Sequence, residues 1–269
     1  MSWAGTGEAF AASYAALCAG TGERLREIAG PGRGRTLLDV GAGDGTLAAA
    51  WTDAGWRVTA AEPEPSMREA ARARHPKLKL VRDALPDLSF DDDRFDVVTA
   101  NFVLNHVPDP RAAAAELRRV ARDLVIATTW SASPTALWGE VTARAGLAPA
   151  SGSRLPPEKD FARTAEGLRR MLTEVGWHPA VTELTWTWHV EPEVLWRSVT
   201  GGVAGAGAFY ATLAGADRAR FQMAFDELTA DRSEGGRMPM TQTAAIAPSI
   251  CAEGDRSRVS ASGPGIRHG

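Results

Sequence analysis

Several features that mark common classes of protein are missing from this chain of 269 residues. It has two cysteines, Cys18 and Cys251, which lie far apart in the sequence and argue against a disulfide framework or a zinc site. Its formal net charge is -3 and it has no dense basic segment, which argues against nucleic acid as the main partner. The sequence has no long apolar run and no basic, apolar leader after Met1. We therefore expect no membrane span, no secretory signal and a cytoplasmic protein.

The bulk composition favours one domain over two. With 44% hydrophobic and 23% charged residues, a chain of this length can bury one α/β core and an accessory layer. We expect residues 1–250 to form that domain, with its core at about residues 30–130. Residues 251–269 have little apolar content, and we expect them to be disordered.

The most informative stretch that is present covers residues 37–46. An apolar strand there leads into the pattern D-x-G-x-G-x-G and then directly into a helix. Glycines allow the tight turn and let a ligand lie against bare backbone. A dinucleotide fingerprint would have a third glycine at the place of Thr46, so the spacing favours a different nucleotide-like ligand. A plain strand, turn and helix is the alternative interpretation of these residues alone.

A carboxylate follows the next predicted strand, residues 57–61. Glu62 lies about 20 residues after the glycine turn, where a βαβ nucleotide fold places the residue that binds ribose hydroxyls. Residues 66–69 match a capping box, which predicts a helix start and brings Met67 near the nucleotide. Ordinary helix packing is the alternative role for Met67.

Two further strands end in polar residues. Residues 78–82 lead to Asp83, and residues 95–101 end at Asn101. A loop that contains His106 follows the second of them, and Asp109 with the proline after it is typical of a helix start.

Together these segments resemble the small-molecule branch of the class I S-adenosylmethionine (SAM) dependent methyltransferases, of the type 11/25 kind. The matching segments are G-A-G-D-G, A-E-P, R-D-A-L-P and F-D-V-V-T-A-N-F-V-L-N-H-V-P-D-P, within about residues 35–130. The resemblance implies an α/β fold with a Rossmann-like, seven-stranded mixed sheet and helices on both faces. It departs at residues 121–123, where family members usually have a Pro-Gly-Gly type turn.

The resemblance also implies SAM as the cofactor and a set of residues that bind it. Met67 would lie against the adenine, and Asp83 would accept from the adenine amino group. The implied cofactor-binding residues are Asp39, Gly41, Ala42, Gly43, Glu62, Pro63, Met67, Asp83, Ala84 and Asn101. No metal is expected, because the acidic run at residues 91–93 reads as a solvated loop.

His106 is the predicted catalytic base. It follows the fourth strand, close to where the acceptor would lie, and an imidazole titrates near neutral pH. The alternative is that this histidine, in the L-x-H-V-P pattern of the family, only holds its loop against SAM.

The region after the core is the predicted substrate-specific part. Sixth and seventh strands are predicted at residues 181–190 and 241–248, and apolar faces between them predict a helical cap at residues 193–230. The glycine cluster at residues 201–207 is interpreted as a hinge of this cap.

Aromatic residues near the strand ends are predicted to line the acceptor cavity. The predicted substrate-binding residues are Tyr14, Trp130, Trp138, Trp196 and Tyr210. Tyr14 belongs to a helical lead-in, residues 8–28, which folds over the bound cofactor in similar enzymes. The alternative is that these rings are core packing, the commonest role of aromatic residues on helices.

The predicted function is transfer of a methyl group from SAM to a small apolar or aromatic metabolite, at oxygen or carbon. Two alternatives keep the SAM pocket: a reaction such as decarboxylation or cyclisation, and a binding module without turnover. The expected partner is a small-molecule acceptor, with no nucleic acid and no membrane. A homodimer is compatible with the sequence, which does not fix the oligomeric state.

Overall fold

A computed structural model describes residues 3–149 and 155–251 of the chain. The predicted disordered tail, residues 251–269, is wrong at Cys251, which is buried and donates its backbone N–H to the carbonyl of Asp123. Residues 252–269 lie outside the described residues. Seven strands form one sheet: β1 (Thr36–Val40), β2 (Arg57–Ala61), β3 (Leu80–Val81), β4 (Phe95–Ala100), β5 (Ala121–Trp130), β6 (Thr182–Val190) and β7 (Met238–Ile250). The helices are α1 (Gly7–Ala11), α2 (Tyr14–Cys18), α3 (Gly22–Ala29), α4 (Thr46–Asp53), α5 (Pro65–Arg74), α6 (Pro110–Val120), α7 (Ala136–Arg144), α8 (Ala165–Glu174), α9 (Pro192–Thr200), α10 (Ala204–Thr212) and α11 (Gly215–Arg232), with a 3₁₀ turn at Ala19–Thr21.

The strand order is β3-β2-β1-β4-β5-β7-β6. Strands β1 to β5 are parallel, and β7 pairs antiparallel with both β5 and β6. The predicted seven-stranded mixed sheet is confirmed. The chain order reverses between β1 and β4, so the carboxyl ends of these two strands flank the crevice where open α/β sheets bind ligands.

Alternate residues of the buried strands face two different hydrophobic layers. Leu38 and Val98 pack with α6 and α8 on one face, while Leu37 and Val97 pack with α3 and α4 on the other. This follows from the two-residue period of a strand, and it explains why the strands read as continuous apolar runs. Helices on both faces, as expected, cover the sheet.

The predicted start of α6 is confirmed, and the predicted start of α5 is wrong. The carboxylate of Asp109 accepts from the backbone N–H of Ala112, which confirms the predicted cap of α6. The capping box at residues 66–69 is wrong, because the N-cap of α5 is Glu64, whose carboxylate accepts from the N–H of Ser66. A carboxylate one residue before Pro65 satisfies the free N–H groups of the first turn, so the helix starts earlier.

Three helices lie between β6 and β7 at the carboxyl ends of the parallel strands, as the predicted cap requires. The predicted glycine hinge is wrong over part of its length, because α10 begins at Ala204 and includes Gly205 and Gly207. A Cβ on Gly207 would lie 2.3 Å from the carbonyl carbon of Gly202, and one on Gly201 would lie 2.2 Å from the Cβ of Ala9. These glycines permit close packing, and only residues 201–203 separate α9 from α10.

Candidate functional site

The turn after β1 has a backbone that favours glycine. Gly41, Gly43 and Gly45 have φ angles of 67°, 57° and 80°, in the left-handed region that side chains disfavour. The N–H groups of Gly41 and Ala42 donate to the carbonyl of Ala61 at 2.8 and 3.1 Å. The N–H of Gly43 donates to the Glu62 carboxylate at 2.9 Å. The turn is therefore fastened to the end of β2 through its own donors.

Side chains from two other segments lie directly on this turn. A Cβ on Gly41 would lie 2.5 Å from Cγ2 of Val103, in the loop after β4. A Cβ on Gly43 would lie 3.2 Å from Cε1 of Phe10, at the end of α1. A larger residue at either position would press against these neighbours, so the glycines permit the close approach of Val103 and Phe10 to the turn.

Three carboxylates are buried around the turn. Asp39, Asp44 and Glu62 are all less than 9% exposed. The two oxygens of Asp44 accept from the N–H and the hydroxyl of Thr46, the first residue of α4, whose N-cap is Gly45. Such a density of buried acid disfavours an anionic ligand and favours a cationic one.

The environment shifts the pKa values of two of these acids. Burial raises the pKa of Asp39 to about 7, although the hydroxyl of Thr99 donates to its carboxylate at 3.0 Å. Burial likewise raises the pKa of Glu62, opposed by the N–H groups of Glu64 and Gly43 that donate to it. Asp39 is thus partly protonated at neutral pH.

A cavity of about 40 Å³ lies beside the turn. It brings together four of the predicted cofactor-binding residues, Asp39, Gly41, Ala42 and Asn101. Its other wall comes from α2, the 3₁₀ turn and the start of α4. Its lining residues are Ala15, Cys18, Ala19, Asp39, Gly41, Ala42, Asp44, Thr46, Leu47 and Asn101.

Asn101 connects the strand ends to the lead-in segment, which is α1, α2, the 3₁₀ turn and α3. Its side-chain oxygen accepts from Thr21 at 2.9 Å and from Thr128 at 2.7 Å. Its amide group donates to the carbonyl of Cys18 at 3.0 Å. The lead-in is therefore held across the cavity by a side chain that was predicted to face the cofactor.

The remaining predicted cofactor residues lie outside the cavity. Met67 is buried on α5, and Pro63 is exposed. Asp83 accepts from the N–H and hydroxyl of Ser89 at 3.2 and 2.8 Å, beside the exposed Ala84. These two residues are at the end of β3, two strands away from β1.

Two buried polar residues of this region were not among the sequence predictions. Asp44 is one of them, and an acidic side chain that accepts from the backbone two residues later is a local turn pattern that the sequence could have indicated. Arg68 is 9% exposed and donates to the carbonyls of Glu62 and Pro63. Nothing in the sequence distinguishes Arg68 from the exposed arginines of the same helix.

His106 is in a turn after β4, where its backbone N–H donates to the carbonyl of Val103 at 2.8 Å. Its ring meets Trp3 edge to face, with centroids 5.1 Å apart, while the residue keeps exposed surface. Desolvation lowers the pKa of His106 to about 4, so the imidazole is neutral at physiological pH and the expectation that it titrates near neutral pH is wrong. No carboxylate among the described residues orients the ring.

The predicted substrate-binding residues fall into two groups. Trp138, Trp196 and Tyr210 pack with Phe221 and Phe225 inside the cap. Tyr14 and Trp130 belong to a second cluster, between the lead-in and the sheet.

One hydrogen bond links these groups. Nε1 of Trp138 donates to the hydroxyl of Tyr14 at 3.0 Å, and burial raises the pKa of that hydroxyl to about 12. Tyr14 therefore stays protonated and serves as a buried contact between the lead-in and α7.

The described residues hold neither a metal-binding cluster nor a membrane-spanning helix. Across residues 3–149 and 155–251, no group of three or more histidine, cysteine or acidic side chains is placed to hold a metal ion. Within the same ranges, no helix combines the length and apolar character that crossing a bilayer requires.

Comparison with known proteins places the similarity around the glycine turn and the strands beside it. Residues 38–125 match the family model described as a methyltransferase domain. An uncharacterized methyltransferase of Mycolicibacterium paratuberculosis is 41% identical over 116 residues, which cover 40% of this chain and 46% of that protein. The demethylmenaquinone methyltransferase of Clavibacter sepedonicus is 40% identical over 95 residues, 34% of this chain and 39% of that protein. The chain thus spans less than half the length of these curated relatives.

A solved structure extends the similarity of fold beyond the matched segment. The crystal structure of a putative methyltransferase from Bacillus halodurans superimposes with a TM-score of 0.55 and 18% identity, covering 86% of this chain and 99% of that one. At this identity the likeness concerns the fold.

Proposed function

We propose that this chain, whose residues 38–125 match the methyltransferase domain model, is a class I SAM-dependent methyltransferase that transfers a methyl group from SAM to a small apolar or aromatic metabolite, at oxygen or carbon. The proposed cofactor site is the turn after β1 with the ends of β2, β3 and β4. Residues 1–250 are proposed to act as one domain, with α9 to α11 as its cap.

The observation that carries the cofactor proposal is the chemistry of the glycine turn. A pyrophosphate needs free backbone N–H groups, but those of Gly41, Ala42 and Gly43 already donate to Ala61 and Glu62. The buried acids beside the turn would repel a phosphate and attract a cation. SAM carries a positive sulfonium and no phosphate, so the residues present fit SAM better than a dinucleotide.

Each residue around the turn has a proposed part in holding SAM. Glu62 would accept from the ribose hydroxyls, and Asp39 and Asn101 would face the polar part of the cofactor from the cavity. Gly41 and Gly43 would let it lie against the backbone. Asp83 and Ala84 would meet the adenine, with Met67 against its ring and Pro63 beside it.

The bound cofactor supplies an activated methyl group, so the protein has to position the acceptor, exclude water and remove a proton where the acceptor has one. The lead-in and the cap cover the strand ends and would exclude water. The neutral imidazole of His106 would accept the proton, and the rings of Tyr14 and Trp130 would contact the acceptor.

The experiment that tests this proposal combines binding and product analysis. Titration calorimetry should show binding of SAM and S-adenosylhomocysteine (SAH), and no binding of NAD. Incubation with methyl-labelled SAM and a panel of aromatic metabolites should then give a product heavier by the labelled methyl group in mass spectra. Tight NAD binding without SAH binding contradicts the cofactor assignment, and SAM consumption without a methylated product indicates a different reaction.

We expect SAM affinity to rise with pH through neutrality. Asp39, with a pKa of about 7, is largely protonated at pH 6 and ionised at pH 8, and a bound cation favours the ionised form. Binding therefore releases a proton, and affinity should increase roughly fivefold or more between these pH values. Calorimetry in buffers of different ionisation enthalpy measures the release. Asp39→Asn should remove the pH dependence, and SAH, which lacks the sulfonium charge, should show less of it.

His106→Ala should lower the rate of methyl transfer by roughly 100-fold, as expected for loss of a general base. SAH affinity should stay nearly unchanged, and single-turnover kinetics with the identified acceptor measures the rate. His106→Phe is the matched control, because it keeps a ring against Trp3 but accepts no proton. Recovery of the rate in the phenylalanine variant would show that His106 only positions its loop.

A further inference from the structure

Two polar side-chain atoms on the β6–β7 pair are buried without a hydrogen-bond partner among the described residues. They are Oε1 of Gln242 and Nε1 of Trp186. Gln242 is 4% exposed. The two residues are directly opposite each other in the antiparallel register, so their side chains leave the same face of the sheet. A buried donor and a buried acceptor side by side are costly to leave unpaired, which calls for a functional explanation.

An aromatic row connects this pair to the proposed cofactor site. The row consists of Phe102, Trp130 and Trp186. Phe102 and Trp130 are stacked with centroids 3.7 Å apart and planes 4° apart, and Trp130 lies 5.6 Å from Trp186. Phe102 directly follows Asn101, which lines the cavity beside Gly41. The row therefore runs from the strand ends at the cofactor cavity to the unpaired atoms on β6 and β7.

The backbone of Phe102 is a second sign that this row is functional. Its φ angle is 59°, in the left-handed region that is rare for an aromatic residue. Its N–H donates to the hydroxyl of Thr128 at 2.9 Å, which holds the peptide in place. Costly backbone conformations concentrate at binding and catalytic sites. Plain core packing of a phenylalanine would not require one.

The lead-in covers the aromatic row but does not supply a hydrogen-bond acceptor for Nε1 of Trp186. A Cβ on Gly20 would lie 2.2 Å from Nε1 of Trp186, so the 3₁₀ turn packs against the indole nitrogen, yet no oxygen accepts its hydrogen. Tyr14 and Leu17 of α2 belong to the same cluster as the row. A ligand would reach the row by displacing this segment, and would supply the missing partners.

We propose that Gln242 and Trp186 form the polar end of the acceptor site, which takes a flat aromatic molecule carrying a hydrogen-bond donor and acceptor on one edge. Gln242 accepts from the ligand, Trp186 donates to it, and the aromatic row contacts its ring. The assignment of this site to the methyl acceptor rests on the proposed function, because the acceptor reacts only when SAM is bound beside it.

The experiment compares two bicyclic probes of the same shape. 2-Quinolinone has an N–H and a carbonyl on one edge, whereas quinoline has one acceptor nitrogen. Dissociation constants are measured by titration calorimetry for the full chain, with and without saturating SAH. We expect 2-quinolinone to bind at least about tenfold more tightly than quinoline, the usual result of satisfying a buried polar pair.

The variants Gln242→Met and Trp186→Phe each remove the unpaired polar atom, and Gln242→Met also keeps the bulk of the side chain. Each should weaken 2-quinolinone binding about tenfold and leave quinoline and SAH binding unchanged. The midpoint of thermal unfolding should stay equal or rise in Gln242→Met, because an unpaired buried group is lost and the bulk is kept; Trp186→Phe also loses packed area and should show a lower midpoint. Thr241→Val is the matched control, since Thr241 is the next residue of β7 and lies exposed on the other face.

The outcomes separate this inference from the proposed function. Equal binding of both probes to the unmodified chain, or equal 2-quinolinone binding by Gln242→Met and the control, overturns the inference. A lower unfolding midpoint in both variants, with probe binding unchanged, also overturns it and assigns the two residues a structural role. Loss of SAH binding in the unmodified chain, with the difference between probes retained, instead overturns the proposed function and leaves the binding site standing.

Discussion

Gly43→Val is expected to abolish SAH binding, with a loss of affinity of at least about 1000-fold. Gly43 has a φ angle of 57° and its N–H holds the Glu62 carboxylate, which is the proposed ribose ligand. A valine would force this backbone out of the left-handed region, and its branched side chain would press on Phe10 beside the proposed cofactor site. The two effects together remove several kcal/mol of binding free energy. Titration calorimetry measures the loss directly.

Gly34→Val separates the site effect from backbone strain. Gly34 has a φ angle of 80°, and a Cβ there would meet no atom within 4 Å. The Gly34→Val variant should therefore lose about 1 to 3 kcal/mol of unfolding free energy through backbone strain, as Gly43→Val does, and leave SAH affinity intact. An equal loss of affinity in both variants would mean that the glycine turn acts only through stability. Unimpaired SAH binding by Gly43→Val would show that the cofactor lies elsewhere.

Trp138→Ala is expected to lower the free energy of unfolding by about 3 to 5 kcal/mol. Trp138 is 4% exposed and stacks on Phe225 with centroids 5.3 Å apart. The substitution would leave a cavity inside the cap and remove the donor to Tyr14. Urea unfolding followed by circular dichroism measures the change.

Two further variants show which interaction is lost. Trp138→Phe keeps most of the stacked area and should cost less than the alanine variant, with about 1 kcal/mol of it from the hydrogen bond to Tyr14. Met223→Ala, on α11 and 57% exposed, is the surface control and should change stability by less than about 0.5 kcal/mol. A small stability change in Trp138→Ala, together with a large rise in the KM for the acceptor, would instead identify Trp138 as a wall of the substrate cavity.

The elements next to the glycine turn could be predicted from local patterns. The strand at Thr36–Val40 is largely apolar, and Gly41 directly after it begins a turn whose positive φ angles favour glycine. The start of α6 at Asp109 and Pro110 was likewise readable, because a cap depends on residues within one turn. Short-range stereochemistry determines these features, so one sequence contains the information.

Long-range partners could not be predicted in the same way. The apolar face of α7 shows that Trp138 is buried, but the residues it packs against, Tyr14 and Phe225, are more than 80 positions away in the sequence. Periodicity indicates which face of a helix is buried, but it does not identify the residues against which that face packs. Gly207 illustrates the same limit, because its close packing against Gly202 overrides the tendency of glycine to break a helix.

The candidate site contains features of both kinds, some set by local sequence and some by long-range packing. Asp39, Gly41, Ala42 and Asn101 meet at one cavity because parallel strand ends meet at one edge of the sheet. The engagement of Asn101 by Thr21 and Cys18 depends on how the lead-in folds back, which no local pattern specifies.

The position of β7 affects the order in which the sheet can be completed during synthesis. In the described sheet, β6 pairs with β7 alone, and β7 also forms the link from β6 to β5. When residues up to Arg232 have left the ribosome, strands β1 to β6 are exposed, but β6 has no strand to pair with because β7 has not yet emerged. Until Met238–Ile250 emerges, the outer edge of β5 is open and β6 is unpaired. Nascent chains paused in this interval would present two unsatisfied strand edges, the situation in which chaperones protect a polypeptide from pairing with its neighbours.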